Sequence, residues 1–257
     1  MLTITKEQIQ IFDEHEIYKF QTELLRRYKI IFPFQYSYLG DKQLFQIIEY
    51  GYEKSIKYGF EMKNQIFLYI YMMFKLGSNF DKDIQFGWLS EILKNKKNID
   101  SGKRITQLYE SVKKYLSEVS GENDIYFHSA LIKLLKEYDL KKTESISSDK
   151  EILDNLNYVY PQKYIYFEMD FLKKIIEVFR ETAHKYDIQD SKGIAILTLY
   201  MLLLGDNFFI DPQFPWAKKV FIHMKQVSLE NKIYLLHKEA NNNLPDYYSI
   251  DINNLDW

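Results

Sequence analysis

Two aspartates recur in the same setting. Asn79, Phe80, Asp83, Gln85, Phe86 and Trp88 are matched 128 residues later by Asn207, Phe208, Asp211, Gln213, Phe214 and Trp216. A carboxylate in a loop beside aromatic rings is the raw material of a general acid, a general base or a metal ligand, provided a second ionisable group lies within reach. The sequence names no such partner beside either one. Asn and Asp also bond their own nearby backbone, so the spacing predicts a turn or helix-capping role for Asp83 and Asp211. The five histidines, His15, His128, His184, His223 and His237, are dispersed. None forms the His-Glu-x-x-His pattern that sets two ligands and a base on one helical face. His15 lies among Asp13, Glu14 and Glu16, which reads as a solvated helix face. With no cysteine there is no disulfide, Cys-type zinc site or thiol catalysis. No glycine-rich phosphate loop and no Gly-x-Ser-x-Gly elbow occurs. The expectation is a protein without catalytic, cofactor-binding or metal-binding residues, hence not an enzyme.

The elements that position these residues come in two sets. Residues 30–110 align with 158–238 at a constant offset of 128, without a gap. Pro33, Tyr36, Tyr38, Leu44, Ile47, Ile48 and Tyr58 recur as Pro161, Tyr164, Tyr166, Leu172, Ile175, Ile176 and Tyr186. Leu76, Gly77, Ile105 and Leu108 recur as Leu204, Gly205, Ile233 and Leu236. What repeats is mostly apolar, aromatic and turn-forming. A period of this length is far above the roughly 20–50 residues of solenoid repeats, so each copy is expected to be a nearly self-sufficient helical unit. No sustained period-two alternation appears, and the predicted class is all-α, two tandem copies of a multi-helix bundle.

Thr5 and Gln8 have the form of a capping box for a long first helix running to Pro33. Asp41 is placed to cap a second helix ended by Gly59. Ile66, Tyr69, Met73 and Leu76 form the stripe of a third, repeated by Ile194, Leu197, Met201 and Leu204, with Gly77 and Gly205 as stops. Phe80, Asp83 and Trp88, with Phe208, Asp211 and Trp216, define the turn that follows. Pro215 suits the first turn of the next helix. Short helices are expected near 88–95 and 216–225, longer ones near 102–119 and 228–240. The predicted division is a first repeat at 1–120, a connecting helix and linker at 121–150, a second repeat at 151–240 and an acidic aromatic tail at 241–257. Within the connecting region a helix is expected over 125–140, and Ser148 or Asp149 can cap the next one.

The formal charge of −2 offers no net attraction to phosphate backbones or anionic lipid, so nucleic acid is not an expected partner. The start of the chain lacks a signal-peptide core, and the longest apolar run, Ile194 to Leu204, is too short for the roughly 20 residues of a bilayer span. A cytoplasmic protein without membrane insertion follows as the expectation. Lys94, Lys96, Lys97, Lys103 and Arg104 make a basic cluster without a counterpart in the second copy, where Lys218, Lys219 and Lys225 are more spread. It reads as a solvated loop. The functional lead is aromatic: Phe34, Tyr36, Tyr38, Tyr160, Tyr164 and Tyr166 sit at interhelix connections. Rings of this kind either anchor protein interfaces or pack the two copies on each other.

Met1, Leu2, Thr3, Ile4, Thr5 and Gln8 with Phe12 and Phe20, then Phe32-Pro33, Lys57-Tyr58-Gly59, and Leu76-Gly77 with Phe80, Asp81, Asp83 and Trp88, carry a resemblance. The chain resembles a poorly characterised all-helical family encoded near type VI secretion and related contractile injection system genes. The match covers about residues 1–120 and is looser in the second copy, where Asp187 replaces the glycine and Phe209 the aspartate. The resemblance implies an effector-associated role, as an immunity protein or as an adaptor and chaperone whose partner is a secreted toxin or effector. It supplies no catalytic residue. The alternatives are a hydrolase or nuclease with a dispersed carboxylate site, and a structural scaffold component.

Overall fold

Apolar residues spaced three and four apart become buried helix faces throughout the chain. The computed structural model describes residues 6–95, 100–137, 148–224 and 229–249, with side chains over 14–95, 100–136, 148–221 and 231–249. Among these residues there is no strand, and the fold is all-α. The first half comprises α1 (Lys6–Ile31), α2 (Pro33–Lys57), α3 (Lys63–Leu76), α4 (Gly87–Lys94) and α5 (Ser101–Val119). A connecting α6 (Ile125–Ile132) runs on into a π-helical turn, Lys133–Glu137. The second half comprises α7 (Asp149–Val159), α8 (Pro161–Tyr166), α9 (Met169–Lys185), α10 (Ser191–Leu204), α11 (Pro215–Met224) and α12 (Leu229–Tyr248).

The helices repeat with the sequence: α3 and α10 start at 63 and 191, α4 and α11 at 87 and 215, α5 and α12 at 101 and 229, each pair 128 apart. α2 matches α8 and α9 together, because Gly40 (φ 72°, ψ 175°) breaks it where the second half has the gap after Tyr166. Both begin with proline at the first turn, Pro33 and Pro161, where a missing N–H costs nothing. Asp41 is the first residue after the Gly40 break, at the position of Met169 that opens α9, so a helical segment does begin there, with Gly40 in the capping position. The Asp41 carboxylate lies 2.7 Å from the Lys29 ammonium. Thr5 of the expected first cap lies outside the described residues. Ser148 caps α7, its hydroxyl accepting from the Glu151 N–H while Glu151 accepts from the Ser148 N–H.

The stripes expected on α3 and α10 are buried in full. α10 is enclosed on every side from Gly193 to Leu204, packed by α7, α9 and α12. No described helix is long and apolar enough to cross a membrane. α2 also packs on α12, and α5 on α8, so the halves share one core.

Three expectations change. Residues 241–248 of the expected tail are helical: α12 continues through them and buries Leu244 and Tyr247, while 250–257 lie outside the described residues. Of the helix expected over 125–140 and the linker after it, residues 138–147 lie outside as well. Arg104 is not part of an exposed basic cluster. It is 2% exposed, and its guanidinium donates to the Leu93 and Tyr58 carbonyls at 2.8 Å each. Its counterpart exists after all: Lys232, 128 residues on, donates to the Tyr186 carbonyl at 3.1 Å, and Tyr186 matches Tyr58. A cation at each position closes the C-terminal end of the helix beneath it. Lys96, Lys97 and Lys225 lie outside the described residues.

Candidate functional site

The turns after α3 and α10 meet at a seam between the halves. Gly77 (φ +97°) and Gly205 (φ +103°) end the two helices in backbone that side-chain-bearing residues avoid. A Cβ on Gly77 would stand 3.3 Å from the Leu204 carbonyl across the seam. This close approach lets Asp83 and Asp211 exchange roles. Asp83 Oδ1 accepts from the Gln85 N–H at 2.8 Å within its own turn, while Oδ2 accepts from the Asp206 N–H of the other half at 2.9 Å. Asp211 Oδ1 likewise accepts from the Gln213 N–H at 2.9 Å, and its Oδ2 from the Ser78 N–H of the first half at 2.6 Å. The glutamines cross too: Gln85 donates to the Met201 carbonyl at 3.1 Å, Gln213 to the Met73 carbonyl at 2.8 Å. Each half thus finishes the other's helix end.

These carboxylates are buried with their oxygens occupied. Burial raises the pKa of both against the hydrogen bonds that lower it, with Lys163 opposing for Asp83 and Lys54 for Asp211. Lys163 is buried against the end of α10, donating to the Leu202 carbonyl, with the Phe86 and Tyr160 rings 5.9 Å and 5.8 Å away. Burial pulls its ammonium down to about 7, Asp83 opposing. Asp206, whose N–H bonds Asp83, is pushed up to about 7 by burial and then by Asp83. In the first half Lys54 donates to the Ser78 carbonyl, Asn79 and Asp81, and Tyr58 donates to Asp81 at 2.9 Å. The matching positions of the second half hold Thr182 and Phe209, and Phe209 packs instead on Tyr186 and Phe221 at 4.7 Å and 5.0 Å. An ion pair in one half is an aromatic cluster in the other.

Beside the seam opens a cavity of about 610 Å³. Its floor is Leu76, Gly77, Leu204, Gln213 and Phe214, and its walls include Phe32 and Phe34 at the start of α2, Tyr71 and Phe74 of α3, Phe127 of α6 and Tyr248 of α12. Phe32 stacks on Phe74 at 4.7 Å, and Phe127 meets Tyr248 edge-on at 4.8 Å. Lys75, in the last turn of α3, reaches Asp124 at 2.8 Å. Asp124 and Asn123 both take left-handed backbone, φ +59° and +52°, a strained arrangement for two consecutive residues that the ion pair helps to hold. His128, one helical turn after Asp124, is half-buried. Burial lowers its pKa, with Asp124 opposing and Lys75 adding to the fall. Three residues at the mouth are open to solvent: Ile30 (81% exposed), Ile31 (41%) and Phe34 (52%).

The six aromatics singled out by sequence do not form one patch. Phe34, Tyr36 and Tyr38 lie on the first turns of α2, and Tyr164 and Tyr166 on α8, not in loops. Tyr38 donates to Asn243 at 2.6 Å and meets the Tyr247 ring edge-on, which fastens the first half to α12. Tyr160 is buried and donates to the Val119 carbonyl at 3.1 Å. Tyr166 packs edge-on against Tyr115 at 5.1 Å, and Tyr36 lies under the Lys29 ammonium at 4.6 Å. Only Phe34 lines the cavity, with Ile30 and Ile31 as unforeseen neighbours. Lys75, Asp124 and His128 were missed because their convergence joins three elements; the i, i+4 spacing of Asp124 and His128 was the one local signal. Among the described residues no three His, Asp or Glu side chains converge to hold a metal ion. No protein-family model, curated protein or solved structure matches the chain.

Proposed function

We propose that this chain is a non-enzymatic protein-binding protein that receives a partner at the mouth of the seam cavity. The observation that carries this reading is the joint exposure of Ile30, Ile31 and Phe34 beside an aromatic-lined groove, since exposed apolar groups gathered at a concave surface mark contact sites. The partner class we propose is a secreted toxin or effector, met in the cytoplasm, with the chain acting as its immunity protein or as its adaptor and chaperone. Support for that class is the resemblance of residues 1–120. Tight blocking of a toxin would need a rigid surface, and the shared core of the halves suits that role; an adaptor would seat an exposed segment in the groove.

The test is co-expression with the product of the neighbouring effector gene. Rescue of growth or enabled delivery is expected, together with a co-purifying complex. The double substitution Ile30→Asp and Phe34→Asp should abolish the complex while leaving the melting temperature unchanged, because both side chains are solvent-exposed. A complex that survives the double substitution removes the mouth as the contact, and failure of rescue, delivery and complex formation together removes the reading.

A further inference from the structure

We propose that the interior of the seam cavity, at Lys75, binds a small amphipathic carboxylate: an organic acid with an aromatic or acyl body. The site goes beyond the protein-partner reading and does not rest on it. A lysine ammonium has three protons to donate, and Asp124 takes one of them at 2.8 Å. A second cavity, of about 330 Å³, lies on the other side of this ion pair, between α3, α5 and the turn before α6. Tyr71, Lys75 and Asp124 line both cavities.

The smaller cavity adds one more charge, Lys113, which is exposed and in no ion pair with a described residue. Among the described residues the charged lining of the two cavities is therefore Lys75 and Lys113 against Asp124, two positive and one negative, in a chain of net charge −2. A single negative charge complements it. A dianion fits less well, because Asp124 stands beside the same ammonium, and a cation meets an excess of positive charge. His128 is held neutral at pH 7 and leaves the balance unchanged. Burial keeps the Tyr71 hydroxyl protonated, so it is a donor at the shared wall. The apolar half of the ligand has its own surface: the stacked Phe32 and Phe74, with Phe127 and Tyr248 opposite. The volume falls within the roughly 300–1,000 Å³ of small-molecule sites, which combine apolar walls with a few placed polar groups.

Titration calorimetry of the full chain at pH 7 with 4-phenylbutyrate tests the site, with 4-phenylbutanol as the uncharged control. Saturable binding of the acid is expected, at least about tenfold weaker for the alcohol and for the Lys75→Met variant, the loss expected for one charge-assisted contact. Lys75→Met also removes a contact of the strained turn, so Lys113→Glu serves as the second variant. This exposed change leaves the apolar walls intact and should weaken the acid by about threefold or more while leaving the alcohol unaffected. Absence of binding up to about 10 mM acid, a range that covers weak small-ligand sites, overturns the proposal. So does equal affinity for acid and alcohol, or an unchanged affinity in Lys113→Glu.

Discussion

Replacing Lys163 with Met is expected to change how the stability of the fold depends on pH, and the direction follows from where this side chain sits. Its ammonium is buried against the end of α10, and burial lowers its pKa from 10.5 to about 7. Between pH 7 and 10.5 the unfolded chain holds a proton at this residue that the native state has released. Stability contributed by the site therefore rises with pH across that window, by up to about 1.4 kcal/mol per unit for one proton. The full displacement corresponds to about 5 kcal/mol, and rearrangement around the charged form reduces what is observed to roughly 2–5 kcal/mol. Met has a similar shape and no proton, so this slope should vanish in the variant. Met also leaves the Leu202 carbonyl without its donor, a loss of about 1–3 kcal/mol at every pH.

The two effects have opposite signs below neutrality. At pH 6 the variant should match or exceed the parent, whereas near pH 10 it should be the less stable protein, with the curves crossing between. Urea unfolding followed by circular dichroism from pH 5.5 to 10 gives both curves, and their difference cancels the titration of groups far from residue 163. Curves that stay parallel from pH 7 to 10 would refute the reasoning, because they would mean that Lys163 keeps an ordinary ammonium in the folded state.

Gly77→Ala should destabilise by about 1–3 kcal/mol, since φ +97° is closed to alanine and the new Cβ crowds the Leu204 carbonyl, whereas Gly87→Ala, with helical backbone and open space, should stabilise by up to about 1 kcal/mol; thermal melts of both variants check the contrast. Asp83→Asn and Asp211→Asn should each cost about 1–3 kcal/mol, because an amide cannot accept on both sides of the seam, and a melting temperature that holds or rises would count against the reciprocal capping. Asp81→Phe alone should cost about 3–5 kcal/mol by leaving the Lys54 ammonium buried without its carboxylate. Adding Lys54→Thr, which copies the second half, should recover more than about half of that loss in the same denaturation assay; additive losses would exclude the exchange of ion pair for ring cluster.

Much of the fold was legible because helices report themselves locally. The stripes of α3 and α10, the glycine stops and the proline starts are properties of neighbouring residues, read with a period of 3.6. The same locality explains the misreadings. Aromatics next to proline look like a connection, yet Pro33 and Pro161 begin helices, so Tyr36, Tyr38, Tyr164 and Tyr166 lie on helical turns. Asp187 departs from the glycine pattern of Gly59 in type and not in conformation, with φ +57° beside +74°. Arg104 was grouped with its charged neighbours in sequence, although the offset that pairs Tyr58 with Tyr186 also pairs Arg104 with Lys232. Burial at that position depends on helices distant in the chain, and no local pattern encodes it.

By itself the sequence determined the helices, the 128-residue spacing of their starts and the stops that end them, since these depend on backbone preference and apolar periodicity over a few turns. It also marked Asp83 and Asp211 as turn residues. Only the tertiary structure decided that each aspartate closes the turn of the opposite half, that Lys54 and Lys163 are buried, and that Ile30, Ile31 and Phe34 open onto a cavity with Lys75, Asp124 and His128. Those features join residues as far apart as Ser78 and Asp211, 133 positions, and hang on the approach of two helix ends to within a few ångströms. That distance is set by the packing of the whole core, which no single stretch of the chain contains.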